Sequence, residues 1–176
     1  MFRIESEFLK IFERLLESEG GFQKSSKDRG NWTGGVIGRG ELRGTKYGIS
    51  AMSYPDIDIE GLTKEHAMEI YFNDFYKPFK SELNIPDYFT FQFFDSSIHH
   101  GTYRTVVFLQ RALNVKPDGI FGMVTSKALE FSEPNKVLLL FLAERLDFMN
   151  DLSNWNAFSR GWSQRIVSNL RYAAND

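Results

Sequence analysis

The sequence predicts a mainly α protein with a small β-like hairpin after its first helix. Apolar residues recur at spacings of three and four in several separate stretches, the first being Ile4, Phe8, Ile11, Phe12, Leu15 and Leu16, which places them on one helical face. Gly and Pro punctuate these stretches where a helix would stop. One stretch, Gln23 to Ser50, has no helical period and holds Gly30, Gly34, Gly35, Gly38, Gly40, Gly44 and Gly48, with short β-like pieces expected at Gly35–Ile37 and Thr45–Ile49.

Taken in order, the first helix carries Glu5, Lys10, Glu13, Arg14 and Glu17 largely opposite its apolar face, and Gly20-Gly21 supplies the stop. After the glycine-rich loop, Tyr54-Pro55-Asp56 breaks the chain. A second helix is expected with Thr63 as N-cap, Ala67, Ile70, Tyr71 and Phe75 inward, and Pro78 as its end. Asn84-Ile85-Pro86-Asp87 marks the expected boundary between a first lobe, 1–86, and a second, 87–176. Asp87 would cap a helix holding Phe89, Phe93, Phe94, Ser97 and Ile98 and ended by Gly101. Thr102 would cap another, with Val106, Leu109 and Leu113 inward. Pro117-Asp118-Gly119 reads as a turn, followed by a short helix near 125–131. Pro134 opens a long helix with Val137, Leu140, Phe141 and Phe148 inward. A last helix from about Ser159 holds Trp162, Ile166 and Leu170.

Composition bounds the class. With 176 residues, 42% hydrophobic and 15% aromatic, the chain can bury a full core, so disorder is excluded. A net charge of −2 without a basic block gives no nucleic-acid footprint. There is no Cys, and His66, His99 and His100 make no metal-ligand pattern, so neither metal nor cofactor is expected. The opening Met-Phe-Arg-Ile-Glu-Ser-Glu does not read as a signal peptide, and the apolar run Val137 to Ala143 is too short to span a bilayer. The expectation is a monomer made in the cytoplasm, with no membrane partner, which reaches its target after release.

Glu19 stands where the first helix ends, and a carboxylate there faces the negative end of the helix dipole at a cost of ~0.3–1 kcal/mol. That field favours the protonated form, which is what donating a proton to a leaving oxygen requires. The plainer reading is a solvated glutamate at a frayed end. Asp28 is the second acid of the same region. Two carboxyls ~6.5–9.5 Å apart can flank a glycosidic bond with room for water, although Asp is also a turn former. Thr33 and Thr45 could each hold that water, or serve as loop and strand threonines. Phe22, Trp32 and Tyr47 could stack on sugars, or simply pack. Asp95 and His99 share a helical face and could reach a cleft, or pair with each other. Trp155, Phe158 and Trp162 read as core.

The runs Glu19-Gly20-Gly21-Phe22, Asp28-Arg29-Gly30-Asn31-Trp32-Thr33-Gly34-Gly35 and Gly44-Thr45-Lys46-Tyr47-Gly48-Ile49-Ser50 resemble glycoside hydrolase family 108, the phage-type N-acetylmuramidases. Phe94-Asp95, His99 to Gly101, Leu109-Gln110, Leu113, Asp118-Gly119-Ile120-Phe121-Gly122 and Thr125 resemble the peptidoglycan-binding region that follows the catalytic segment there, and Arg160-Gly161-Trp162 with Arg165 its closing helix. Arg29 departs from the proline common in that family, and His99 from its asparagine. The resemblance implies a lysozyme-like α+β fold of two helical lobes flanking a cleft, with Glu19 as the catalytic acid.

The expected function is therefore a lysozyme acting on peptidoglycan glycan strands and lysing bacteria. It would cut the β-1,4 bond between N-acetylmuramic acid and N-acetylglucosamine. Two alternatives stand beside it: a lytic transglycosylase, which also needs one glutamate, and a non-catalytic wall-binding or virion structural protein.

Overall fold

A computed structural model describes residues 6–18 and 21–175, and the chain divides into two compact units, Met1–Pro78 and Phe79–Asp176. The architecture is mainly α, with one two-stranded antiparallel hairpin. Among the described residues no helix is long and apolar enough to cross a membrane.

The first unit begins with α1 (Ser6–Ser18). Its apolar face behaves as the spacing requires: Phe8, Ile11, Phe12 and Leu15 are buried, while Ile4 lies outside the described residues. Phe8 meets Phe72 and Tyr76 with ring centroids 5.1 and 4.8 Å apart, and Phe12 meets Tyr71 at 5.8 Å. The partner segment is α2 (Lys64–Ile70), which Thr63 caps through His66 N–H, continued by a π-helical segment, Tyr71–Tyr76, and α3 (Lys77–Glu82).

That π segment overturns two expectations. The apolar face was expected to pass through Tyr71 and Phe75, and the helix to stop at Pro78. Instead Phe75 is 38% exposed and Tyr76 is buried, because a π turn takes in one extra residue and shifts the inward position from i+4 to i+5. The Lys77 N–H bonds Phe72 O, five residues back. A helix can pass a proline where its hydrogen-bond ladder is already rearranged in this way, and Pro78 lies inside α3.

Between α1 and α2 the chain makes a short 3₁₀ turn, Arg29–Asn31, then strands β1 (Thr45–Lys46) and β2 (Ile49–Ser50), with Thr45 opposite Ser50 and Lys46 opposite Ile49. The two-residue loop between the strands has Tyr47 at φ +53 and Gly48 at φ +75, the pair of left-handed residues that matches the twist of a hairpin. The expected β piece at Gly35–Ile37 is turn and bend instead. Positive φ at Gly35, Gly38 and Gly40 breaks any extended run, and pairing in this loop comes down to single bridges, Gln23 to Thr45 and Trp32 to Leu42.

The second unit is built around α4 (Asp87–His100), every residue of which from Phe89 to Ser96 is buried. A helix buried all round must satisfy its polar side chains with protein partners. Thr90 Oγ1 donates to Pro86 O, Gln92 Nε2 to Asn169 O, and the hydroxyls of Ser96 and Thr105 share a bond of 2.8 Å. Against α4 pack α5 (Thr102–Ala112), α7 (Pro134–Asn150) and α8 (Trp155–Ala173), and α6 (Met123–Glu130) lies between α5 and α7 in the chain. The expected boundary at Pro86–Asp87 is the start of α4. Asp87 is its first residue rather than its cap, and Thr102 likewise follows Gly101, the residue that both ends α4 and precedes α5. Along α7 the inward residues are Val137, Leu138, Phe141, Leu142, Arg145 and Met149. Leu140 is 41% exposed, against expectation, since a run as uniformly apolar as Val137 to Ala143 does not say which side faces in.

Asp95 ties three of these helices together. Its Oδ2 accepts from Arg145 Nη2 of α7 at 2.8 Å and Asn169 Nδ2 of α8 at 2.7 Å. Its Oδ1 accepts from Arg165 Nη2 at 2.8 Å and Nε at 3.1 Å. Burial alone would raise its pKa, but the charges of Arg165 and Arg145 and the hydrogen bonds from Arg165 and Asn169 hold it far below the usual carboxylate range. Removing one partner of a buried pair leaves the other charge uncompensated. Asp95→Ala is expected to destabilise the second unit by about 3–5 kcal/mol, read as a lower urea midpoint; an unchanged midpoint would mean the cluster contributes nothing.

Candidate functional site

The glycine-rich loop closes on one buried side chain, Asn31, which is 0% exposed. Its amide is satisfied from three directions. Asn31 Nδ2 donates to Gln23 Oε1 at 2.8 Å and to Ser25 O at 3.0 Å. Its Oδ1 accepts from Gln23 Nε2 at 3.0 Å and from Thr45 Oγ1 at 2.7 Å. The backbone repeats the knot: Arg43 and Gly44 N–H both donate to Asn31 O, and Gln23 and Thr45 exchange a pair of hydrogen bonds. Gly44 is required there. At φ +92, an added Cβ would stand 2.5 Å from Gln23 O and 2.8 Å from the Phe22 ring.

Asp28 joins the same network. It is the N-cap of the 3₁₀ turn, with Oδ1 accepting from Gly30 N–H at 2.9 Å and Oδ2 from Gln23 Nε2 at 3.1 Å. Gln23 thus bridges Asp28 and Asn31, and Asn31 passes the link to Thr45. Because Asn31 presents its oxygen to Thr45, the Thr45 hydroxyl spends its proton on Asn31. Its remaining lone pairs are acceptors. Asp28 is exposed and also acts as an acceptor.

Thr33 is oriented differently. Its Oγ1 accepts from Glu41 N–H at 2.9 Å and closes the outer turn, where a Cβ on Gly40 would stand 2.4 Å from that oxygen. Of the two threonines, Thr45 is connected to Asp28 and Thr33 holds the loop. Glu19, the expected acid, lies outside the described residues.

The three candidate aromatics are all on or beside this loop. Phe22, 37% exposed, rests over Gly44. Trp32 is half-buried and its Nε1 donates to Ser26 O at 3.1 Å. Tyr47 is half-buried and held left-handed, a strain of order 1 kcal/mol. The Tyr71 hydroxyl donates to its carbonyl at 3.2 Å, and Lys46 Nζ stands 5.6 Å from its ring centroid.

The second-unit candidates are not surface groups. Asp95 is 1% exposed with both oxygens occupied, and its partners are Arg145, Arg165 and Asn169 rather than His99. His99 is half-buried beside His100 and Trp162, with ring centroids 4.3 and 6.4 Å away. Burial, then the charges of Arg165 and Arg145, lower its pKa to about 4. His100 is lowered further, by burial and by His99. His99 Nδ1 and His100 Nε2 are buried without a hydrogen-bond partner, which suits neutral rings. Gln110 and Thr125 are also interior. Gln110 Nε2 donates to Asp118 Oδ1, Ile120 O and Thr125 Oγ1, and its Oε1 accepts from Gly119 N–H, so the Asp118-Gly119 motif is a turn held from within. Trp155, Phe158 and Trp162, read as core, form a partly open stack at the start of α8, with Phe158 53% exposed. Among the described residues no group of His, Asp and Glu is placed to hold a metal ion.

Gln23 was not singled out from the sequence. Nothing in its spacing marks it; only the bridge to Thr45 brings it between Asp28 and Asn31.

The sequence model of a family described as glycosyl hydrolase 108 matches residues 12–101, just over half of the chain. No curated protein matches the sequence. Among solved structures, one described as the structure of Brucella abortus SagA is similar at 24% sequence identity, with a TM-score of 0.71 over 96% of this chain and 94% of that chain. The likeness is one of fold, mainly α and lysozyme-like.

Two outcomes are expected. Asn31→Ala should destabilise the first unit by about 1–3 kcal/mol and speed hydrogen exchange at the Gln23 and Thr45 amides; unaltered exchange there would remove Asn31 from the centre of the loop. The second concerns acid. His99 has a folded pKa of about 4 against 6.5 for the free side chain, so below pH 6.5 the unfolded chain binds protons that the folded one refuses. Stability is complete above pH 6.5 and falls as pH drops toward 4. Thermal melts across that range should show a falling midpoint, less steeply in His99→Asn.

Proposed function

Because the chain belongs to the glycosyl hydrolase 108 family, and is thereby a glycoside hydrolase, we propose that it is a muramidase. Its substrate in this reading is peptidoglycan, and the bond cut is the β-1,4 link between N-acetylmuramic acid and N-acetylglucosamine. The observation that carries the proposal is the Asp28–Gln23–Asn31–Thr45 network, which lies wholly within the family-matched residues.

In this mechanism Glu19 donates its proton to the glycosidic oxygen as the bond to the sugar carbon breaks and positive charge develops there. Water attacks that carbon. One water proton passes to the Asp28 carboxylate, and the other is held by the Thr45 oxygen, an acceptor because its own proton is given to Asn31. Gln23 keeps the Asp28 carboxylate turned toward this arrangement by donating to Oδ2. Direct attack by water inverts the anomeric carbon. Phe22, Trp32 and Tyr47 offer sugar-stacking faces on the same loop. No metal or cofactor enters the reaction.

The second unit is assigned to wall binding. Asp95, Gln110 and Thr125 support it by holding its helices and turn from the interior, and the exposed Asp118 closes the turn by accepting from Gln110 Nε2.

Digestion of purified peptidoglycan followed by mass spectrometry tests the assignment. Wild-type protein should release reducing muramic acid ends, and Glu19→Gln none, with unchanged circular dichroism. Thr45→Val should lower kcat by about 10²–10⁴, whereas Thr33→Val should alter stability with kcat nearly intact. Full activity in Glu19→Gln, or the opposite ranking of the two threonines, would reject the assignment. Anhydro ends would make the chain a lytic transglycosylase, and wall pelleting without any cleavage would make it a binder.

A further inference from the structure

The second unit holds a cavity of about 350 Å³ between the start of α4, the end of α6 and the start of α7. Its apolar floor is Pro86, Leu129 and Pro134. Four polar side chains line it: Asn84 just before α4, Tyr88 in the first turn of α4, and Ser126 and Glu130 on α6, with Asn84 and Glu130 exposed and Tyr88 and Ser126 half-buried. A fifth, Ser132, is already committed, its Oγ donating to Leu129 O at 2.7 Å. The other four have no side-chain hydrogen bond or ion pair within the described structure. The buried Asp95, Gln110 and Ser96–Thr105 pair of this unit bond to neighbouring side chains. Here an amide, a phenol, a hydroxyl and a carboxylate line one open concavity and are left to solvent or to a ligand.

The walls are stiff. Pro86 precedes α4 with φ −59, and Pro134 is the first residue of α7, so both backbones are restricted before anything binds. Leu129 is buried in the core. A few polar groups around an apolar floor, at this volume, are the ordinary makings of a small-ligand site. Among the described residues that line it, Glu130 is the one charged group, and it calls for a cation. The neutral donors and acceptors around it suit amide and hydroxyl groups.

We propose that this cavity binds a short peptide through a primary amine, with Glu130 on the ammonium group, Asn84, Tyr88 and Ser126 on the amides, and the Pro86–Leu129–Pro134 floor under the carbon chain. The identity of the peptide rests on the muramidase reading: the peptides that branch from peptidoglycan carry a diamino acid whose side-chain amine is free wherever the wall is not cross-linked. The second unit would then bind the peptide branches while the first acts on the glycan, and favour uncross-linked wall.

The test uses the full chain and a free stem tetrapeptide with its side-chain amine intact, and the same peptide with that amine acetylated. Binding is followed by calorimetry and by chemical shifts of the Tyr88 and Ser126 amides. The probe contains no glycosidic bond, so its binding is independent of hydrolysis in the first unit. Wild type should bind saturably. Glu130→Gln and amine acetylation should each weaken binding about ten-fold, with no further loss when combined, since they remove the same contact. Tyr88→Phe should weaken it by less, and thermal melts should show both variants folded. Absence of binding by wild type, or equal binding by wild type and Glu130→Gln, would overturn the proposal. Glu130-dependent binding in a protein that cuts no peptidoglycan would uphold the site while removing the muramidase reading.

Discussion

Burying Asn31 obliges the glycine-rich loop to bring Gln23, Ser25 and Thr45 to it, because an unsatisfied buried amide costs about as much as several surface contacts contribute. The loop has little apolar surface of its own, with Val36 and Ile37 exposed, so hydrophobic burial does not shape it. The hydrogen bonds do, and they also determine chemistry. Once Asn31 offers its nitrogen to Gln23 and Ser25, its oxygen must take the Thr45 proton, and the Thr45 oxygen is left as an acceptor. The same Gln23 amide that meets Asn31 also meets Asp28. Fold and candidate site share one set of bonds.

The second unit answers the same constraint with charge. A helix as buried as α4 can carry a carboxylate only if arginines come to it, and α7 and α8 supply Arg145 and Arg165. This cluster sets the order of α4, α7 and α8 more specifically than apolar packing could, given how uniformly apolar α7 is at Val137 to Ala143. It also raises the local positive field, and with burial this keeps His99 and His100 neutral. Motif residues such as Asp95, Gln110 and Thr125 therefore serve the unit by holding it together.

Much of the fold was legible in the sequence. The α1 face, the Thr63 cap, the Gly101 stop and the hairpin near Thr45–Ile49 follow from spacing and from residues with strong local preferences. Where the reading failed, a non-local cause acted. The π segment moved Phe75 out and Tyr76 in and carried the helix past Pro78, and no local pattern announces an extra residue in a turn. Phe158 and the two tryptophans read as core by composition, yet the stack stands partly open. Of the site, Asp28 was named together with Thr33 or Thr45 without a choice between the threonines, and Gln23 was passed over because its role depends on a partner 22 positions away in the chain (Thr45).

The sequence by itself determined the mainly α class, the punctuation of its helices, and the run of residues that resembles a glycoside hydrolase, because these depend on periodicity and on what each residue permits its own backbone. Only the tertiary structure decided which threonine joins the aspartate, where Asp95 finds its counter-charges, and that polar groups of α6 and of the segment entering α4 line one cavity. Such assignments depend on hydrogen bonds and ion pairs between distant segments, whose energies exist only once the chain has closed.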